Sequence, residues 1–293
     1  MNLILTVLNI TAPVFLLATV GYVWVKLGFE YRVAFVTRLA MTLSVPCLIF
    51  VALMNTQINP EALATLTFAS FTAYGLVAVG SFILVKLGRL DVQTYLAPLI
   101  FGNTGNLGLP LALFAFGEVG LGYAVVVFAV MAILSFTVGV WLVSGGGSLT
   151  KVIKEPLVAA TLLGALFLWQ GWQTPTFLTN TLELIGQMAI PIMLITLGVA
   201  VARLETKAMT QAVILSVLKA GLCAGAAWWA AVWFGLDPVA AAVLIVQVST
   251  PVAVTSYMLA EKYGADAQPV AGLVVASTVL SVVTLPLILA FVI

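Results

Sequence analysis

Two short polar stretches, rich in glycine and proline, stand inside long apolar runs, and they hold the residues best suited to handle a ligand. The first is Gly102-Asn103-Thr104-Gly105-Asn106-Leu107-Gly108-Leu109-Pro110, and the second is Gln247-Val248-Ser249-Thr250-Pro251. In a helix interior Gly costs about 1 kcal/mol and Pro about 3 kcal/mol relative to Ala. Both stretches therefore predict breaks in otherwise helical segments. Freed backbone in a lipid-embedded segment survives only when it is buried in protein or lines a wet cavity. Each break also creates a half-helix N-terminus, whose N–H groups and dipole favour an anion. Asn103, Thr104, Asn106, Gln247, Ser249 and Thr250 supply neutral donors and acceptors beside the breaks, and Pro251 fixes the second one. Proline kinks and Ser/Thr bonds to the preceding turn also occur in ordinary packed membrane helices. It is the pair of breaks that carries the ligand-binding reading.

One further residue belongs with them. Lys219 falls roughly 18 Å beyond Lys207 along a helix rising 1.5 Å per residue, near the middle of its segment. An ionisable group at that depth costs at least ~2.5 kcal/mol, which makes it a functional candidate. It reads as a counter-charge for a carboxylate or as a proton-linked gate. The bland reading is a side chain that snorkels to the headgroups. Glu183, by contrast, sits close enough to the end of its segment to be interfacial.

Other chemistries lack their residues. The chain has no His, the commonest general base and metal ligand. No Asp or Glu occupies the centre of an apolar segment, and no Gly-x-Ser-x-Gly motif is present. No catalytic residue, metal site or cofactor is expected, and a Ser–Lys pair using Lys219 is the one enzymatic route left open. Cys47 and Cys223 sit in apolar runs and read as small core residues rather than as a disulfide.

The elements that must position these residues follow from composition. Of 293 residues 63% are hydrophobic and only 7% charged, with a mean hydropathy of +1.23. A soluble domain carries about 25% charged residues, so most of this surface must face lipid. A formal charge of +1 without a basic tail argues against a nucleic-acid partner. Apolar runs fall at 3–26, 33–54, 62–86, 92–117, 120–143, 156–173, 177–201, 209–234, 238–260 and 267–292. Crossing the hydrocarbon takes about 20 such residues, so the expectation is ten transmembrane helices joined by short connections. The first run lacks a positive leader region and a cleavage site, so it reads as a retained helix rather than a signal peptide. Trp169 and Trp172 read as part of an interfacial aromatic belt.

Basic residues then orient the chain. Lys26, Arg32, Arg38, Lys86, Arg89, Lys151, Lys154, Arg203, Lys207 and Lys262 all flank odd-numbered connections. The positive-inside rule makes that side cytoplasmic, with both termini on the outer face.

An offset of about 144 residues relates Pro13 to Pro156, Gly28 to Gly171, Pro46 to Pro191, Leu99-Ile100 to Leu244-Ile245, and Gly120 to Gly264. Each half, 1–147 and 148–293, holds five segments. With an odd number, the second copy enters from the opposite face, giving inverted repeats of the kind secondary transporters use for alternating access. Pro46 and Pro191 read as kinks in supporting helices.

At this point the chain resembles the auxin efflux carrier family, whose bacterial members are associated with malate or malonate transport. It is similar more distantly to the plant PIN auxin exporters and the bile-acid sodium symporters. The matching stretches are Gly102 to Pro110, Ser249-Thr250-Pro251 running on to Ala260-Glu261-Lys262-Tyr263-Gly264, and Ser277 to Pro286. The resemblance implies that helices 4 and 9 cross at the substrate site. It implies a scaffold of helices 1, 2, 6 and 7 that forms a homodimer interface, and a mobile transport domain from the rest. The family's crossover Asn falls on Asn103 and its crossover Pro on Pro251. Gly102 stands where the PIN pattern has Pro, and Val252 where it has a polar residue, which argues against auxin-like recognition.

The expectation is thus an all-α multi-pass protein of a bacterial inner membrane that moves a small organic anion such as malonate, malate or an auxin-like acid. The alternatives are a sodium-coupled symporter of the bile-acid type and a passive anion channel. Sodium could bind through carbonyls and hydroxyls at the breaks.

Overall fold

The structure is a computed structural model that describes residues 3–55, 59–145, 156–203 and 209–293. All named elements among them are helical. The first half contains α1 (Leu3–Lys26), α2 (Val33–Leu39), α3 (Val45–Asn55), α4 (Pro60–Leu87), α5 (Val92–Ile100), α6 (Leu109–Leu134) and α7 (Val140–Ser144). The second contains α8 (Pro156–Gln170), α9 (Thr176–Gln187), α10 (Ala189–Arg203), α11 (Met209–Trp233), α12 (Pro238–Val248), α13 (Val254–Tyr263) and α14 (Ala267–Val292). Seven runs among the described residues are long and apolar enough to cross a membrane: Val7–Lys26, Val33–Asn55, Glu61–Leu87, Thr104–Ser144, Thr176–Arg203, Met209–Trp233 and Ala267–Val292. Ala159–Gln170 and Pro238–Val248 are shorter apolar helices. The expected basic markers Lys151, Lys154 and Lys207, and the division at 147/148, lie outside the described residues.

Helix starts account for all three aspartates. Asp91 accepts from the Thr94 N–H at 2.8 Å, Asp237 from Val239 and Ala240 at 3.1 and 3.0 Å, and Asp266 from Gln268 at 3.1 Å. Asn59 does the same for α4, with Pro60 in the first turn. A capping side chain satisfies N–H groups that lack an intrahelical partner, so these residues fix where their helices begin.

Two prolines mark interruptions in the supporting helices. A π-helical turn, Ala40–Ser44, joins α2 to α3 just before Pro46. α9 hands over to α10 at Met188, just before Pro191. Insertion of an extra residue into a helical turn is a recognised cause of bending. α6 contains a sharper event: Gly117 takes φ 63°, ψ −155°, a non-helical conformation that kinks the chain between two helical pieces. Only Gly reaches that region without strain.

Packing is close where side chains are absent. α1 lies along α10, with Gly198 against the Ala18 carbonyl and Gly21 against the Ile195 carbonyl. α3 lies along α8, with Gly164 against Leu53, and Gly186 of α9 meets the Leu48 backbone. α11 packs on α4, α12 and α14. Trp169, 74% exposed, and Trp172 project from the end of α8, as a belt residue would. Cys47 and Cys223 are free thiols, half-buried and buried respectively.

Candidate functional site

Both polar stretches are breaks, and they meet. α5 stops at Ile100, and α12 at Val248. The peptides beyond them run antiparallel, with a β-bridge between Gly102 and Val252. The Asn103 N–H donates to the Pro251 carbonyl at 2.7 Å, and Ala253 donates to the Phe101 carbonyl at 3.5 Å. From a third element, Ser277 Oγ of α14 accepts the Val252 N–H at 3.0 Å. Backbone groups released by the two breaks thus find partners across the crossing, which buried non-helical backbone requires. Gly102 is dictated by this approach: a Cβ there would collide with Thr250 Oγ1. Gly108 likewise faces the Gln247 side chain.

Helix resumes on both chains immediately. Asn103 O accepts from Leu107 and Gly108, opening a π-helical turn, Thr104–Gly108, that leads into α6. Ala253 is extended and α13 begins at Val254. The crossover therefore has two kinds of end. Two helix N-termini, starting at Asn103 and Ala253, carry positive dipole ends; two C-termini, α5 and α12, carry negative ones.

The N-termini share a cavity. Gly102, Asn103, Gly105 and Asn106 line it from one break, and Ala253, Val254 and Thr255 from the other. Thr37, Ser135 and Thr196 add hydroxyls from α2, the π-turn after α6, and α10. Its volume is about 70 Å³, room for several waters at about 10–15 Å³ each. Asn103 is 5% exposed, and its amide nitrogen has no hydrogen-bond partner. A buried, unpaired amide donor is costly and rare. Beside two helix N-termini, it is suited to an anionic or carbonyl oxygen.

The C-termini face elsewhere. Lys219 of α11 is 3% exposed, so it does not snorkel. Its Nζ donates to the Leu99 carbonyl in the last turn of α5, at 3.1 Å, and lies 3.7 Å from Cys223 Sγ. Thr250 Oγ1 closes the other C-terminus by donating to the Gln247 carbonyl at 2.7 Å. Lys219, Ser249, Thr250 and Pro251 line a small cleft of about 10 Å³ together with Ser277 and Ser281.

The eight candidate residues consequently divide. Asn103 and Asn106 face the larger cavity, while Ser249, Thr250, Pro251 and Lys219 face the smaller cleft. Thr104 and Gln247 are fully buried in the crossing itself. Gln247 Nε2 donates to the Ala124 carbonyl at 3.4 Å, and its Oε1 and Thr104 Oγ1 have no partner. Sequence reasoning missed Thr37, Ser135, Thr196 and Thr255, because isolated hydroxyls in apolar helices carry no local signal. It also missed Tyr31, which precedes α2 and whose hydroxyl lies 2.8 Å from Thr196 Oγ1. Burial pushes the Tyr31 phenol above its ordinary value, with the Thr196 bond opposing, so the group stays protonated at physiological pH.

A second and larger cavity of about 630 Å³ lies at the other end of the Val33–Asn55 span, between α3, α6 and α9. Asn55, Glu118, Glu183 and Gln187 line it, and Asn55 donates to Glu183 at 3.4 Å.

Helices that break and cross in pairs, with buried backbone turned toward a polar cavity, define a class: membrane transport proteins with discontinuous helices. The comparisons agree. The chain belongs to the membrane transport protein family that contains the auxin efflux carriers, whose model matches it twice, over residues 6–148 and 144–289. It is 26% identical to an uncharacterized transporter of Methanothermobacter thermautotrophicus over 295 residues, 94% of each chain. It is likewise 26% identical to an uncharacterized transporter of Methanocaldococcus jannaschii over 213 residues, 69% of this chain and 67% of that one.

Proposed function

We propose that the chain is a secondary carrier of a small organic anion, bound where the N-termini at Asn103 and Ala253 meet and moved by alternating access. The observation that carries this reading is the unpaired Asn103 amide nitrogen in a cavity lined by two helix N-termini. A substrate carboxylate would accept from that amide and from the first N–H groups of the two helices. A cation would find no carboxylate among the described cavity-lining residues.

Ten crossings in two inverted repeats fit this reading. Thr104–Ser144 has 41 residues, about 60 Å at 1.5 Å per residue, twice the hydrocarbon thickness. The turn at Gly117 divides it, so that α5 with the stretch up to Gly117 makes one crossing in two pieces and the remainder through α7 makes the next. α2–α3, α9–α10 and α12–α13 each make one crossing in two pieces. The two family matches meet at 144–148, which supports repeats of 1–147 and 148–293. Antiparallel pairing of Gly102 with Val252 supports opposite insertion of the two halves. α1 packing on α10 and α3 on α8 are repeat-related contacts. They support a scaffold of helices 1, 2, 6 and 7, through which a homodimer would form.

The test is thermal stabilisation of purified protein by malonate, malate, succinate, pyruvate and indole-acetate. At least one is expected to raise the Tm of the wild type. Asn103→Ala should weaken that effect, and Asn103→Asp should abolish it by placing a carboxylate at the anion site. Uptake into liposomes with counterflow then separates a carrier from a channel. If no acid shifts the melt of folded protein, the anion reading fails.

A further inference from the structure

Lys219 is a buried cation without a buried anion. Among the residues whose side chains are described, no Asp or Glu forms an ion pair with it; the one described salt bridge is the exposed Arg32–Glu30 pair at 2.6 Å. Placing an ammonium in such a site is expensive unless oxygen dipoles replace the lost water. They do so here. The last four carbonyls of a helix lack intrahelical partners and carry its negative dipole end, and Lys219 donates to one of them, the Leu99 carbonyl of α5. An ammonium has three donors. The cleft in front of it is lined by Ser216, Ser249, Thr250, Ser277 and Ser281. Ser249 Oγ is 4% exposed and has no partner. A space of about 10 Å³ is the size that one water needs, so it leaves no room for an organic ligand.

The two breaks are treated differently at this point. At α12 the last turn is closed by a neutral hydroxyl, Thr250 on Gln247. At α5 it is closed by a charge. The position related to Lys219 by the internal offset is Gly75 of α4, where a side chain would meet nothing within 4 Å. The cation therefore belongs to one half of the crossover only, and nothing in its surroundings requires a negatively charged substrate.

We propose that Lys219 is a tethered cation of the crossover. Its ammonium holds the carbonyl end of α5 beside a cleft lined by serine and threonine hydroxyls, where a small monovalent cation would otherwise be needed to meet the freed carbonyl. In consequence the assembled crossover needs no metal cation from solution. Lys219 is a positioning residue, acting through the α5 end, and the proposal is independent of which substrate the Asn103 cavity takes.

The experiment measures the Tm of purified full-length protein in sodium, potassium, choline or methylammonium chloride at equal ionic strength. Wild type should melt at the same temperature in all four. Lys219→Ala, expressed and purified in methylammonium, should melt roughly 5–10 °C lower in choline, a large loss for one residue. Methylammonium or sodium should restore much of it in a saturable way. Lys219→Met fills the space of the stem but lacks the charged end, and with too little space left for methylammonium it should be destabilised and not restored by that ion. The proposal is overturned if Lys219→Met melts with the wild type, since a neutral chain would then suffice. It is equally overturned if small cations do not restore Lys219→Ala, including by failing to yield folded protein in methylammonium, or if sodium specifically stabilises the wild type. Because stability is the readout, failure of the organic-anion reading leaves the result intact.

Discussion

At the scale of single residues, the crossover depends on missing atoms as much as on polar ones. Gly102 lets the Phe101–Asn103 peptide approach the Thr250–Ala253 peptide closely enough to pair, and a methyl group there would collide with Thr250 Oγ1 and meet its carbonyl oxygen at 2.9 Å. Overpacking of this kind typically costs about 1–3 kcal/mol. Gly102→Ala is accordingly expected to lower the Tm and to weaken ligand binding together, because the bridge positions Asn103. Thr250→Gly in the same background should recover part of the loss, and a double-mutant cycle on melting temperature measures it. Additive effects would show that the two residues do not meet. Which residues form the breaks was legible in the sequence, since Gly, Asn and Pro clustered in an apolar run have few other uses. What each one touches was not. Lys219 was legible as an anomaly, but its partner Leu99 lies 120 positions away, and only the packing of α11 on α5 brings them together.

At the scale of elements, glycine sorts into two kinds by what surrounds it. Gly198 and Gly21 let α1 and α10 approach until backbone meets backbone, the interface that small residues make in membranes. Gly221 in α11 has open space where its side chain would be. Gly198→Val should therefore destabilise the protein by ~1–3 kcal/mol, since the Ala18 carbonyl cannot move without shifting α1. Gly221→Ala should be neutral or stabilising by up to about 1 kcal/mol, from helix propensity alone. Denaturation of the two variants side by side checks the pairing of α1 with α10, and equal melting temperatures would refute it. The lengths of the apolar runs located these helices, whereas the aspartate caps that fix their starts were read only from the structure. The π-turns at Ala40–Ser44 and Ser135–Gly139 were not legible. A single inserted residue leaves composition and hydropathy unchanged, so only the hydrogen-bond pattern reveals it. They matter, because Ala40 and Ser135 both line the Asn103 cavity.

For the whole molecule, the two cavities stand at opposite ends of the Val33–Asn55 span, and the distribution of charges proposes which end is which. The Asn103 cavity opens beside α2, which follows Lys26 and Arg32 and carries Arg38, while the cavity with Glu118 and Glu183 lies toward connections without Lys or Arg. If basic connections are cytoplasmic, the first cavity faces inward and the second outward. Alternating access would then exchange which of them reaches Asn103. A single cysteine at each end tests the assignment. Leu87→Cys, at the exposed end of α4, should react with a membrane-impermeant maleimide only after cells are permeabilised. Gln173→Cys, in the exposed turn between α8 and α9, should react in intact cells. The native thiols make a suitable background, because Cys223 is buried, Cys47 sits within the membrane-spanning region, and only a water-exposed thiolate reacts readily. Labelling of Leu87→Cys from outside would invert the molecule. The acidic cavity would then face the cytoplasm, and the anion would enter the Asn103 cavity from the exterior, reversing the direction of access that the charges imply.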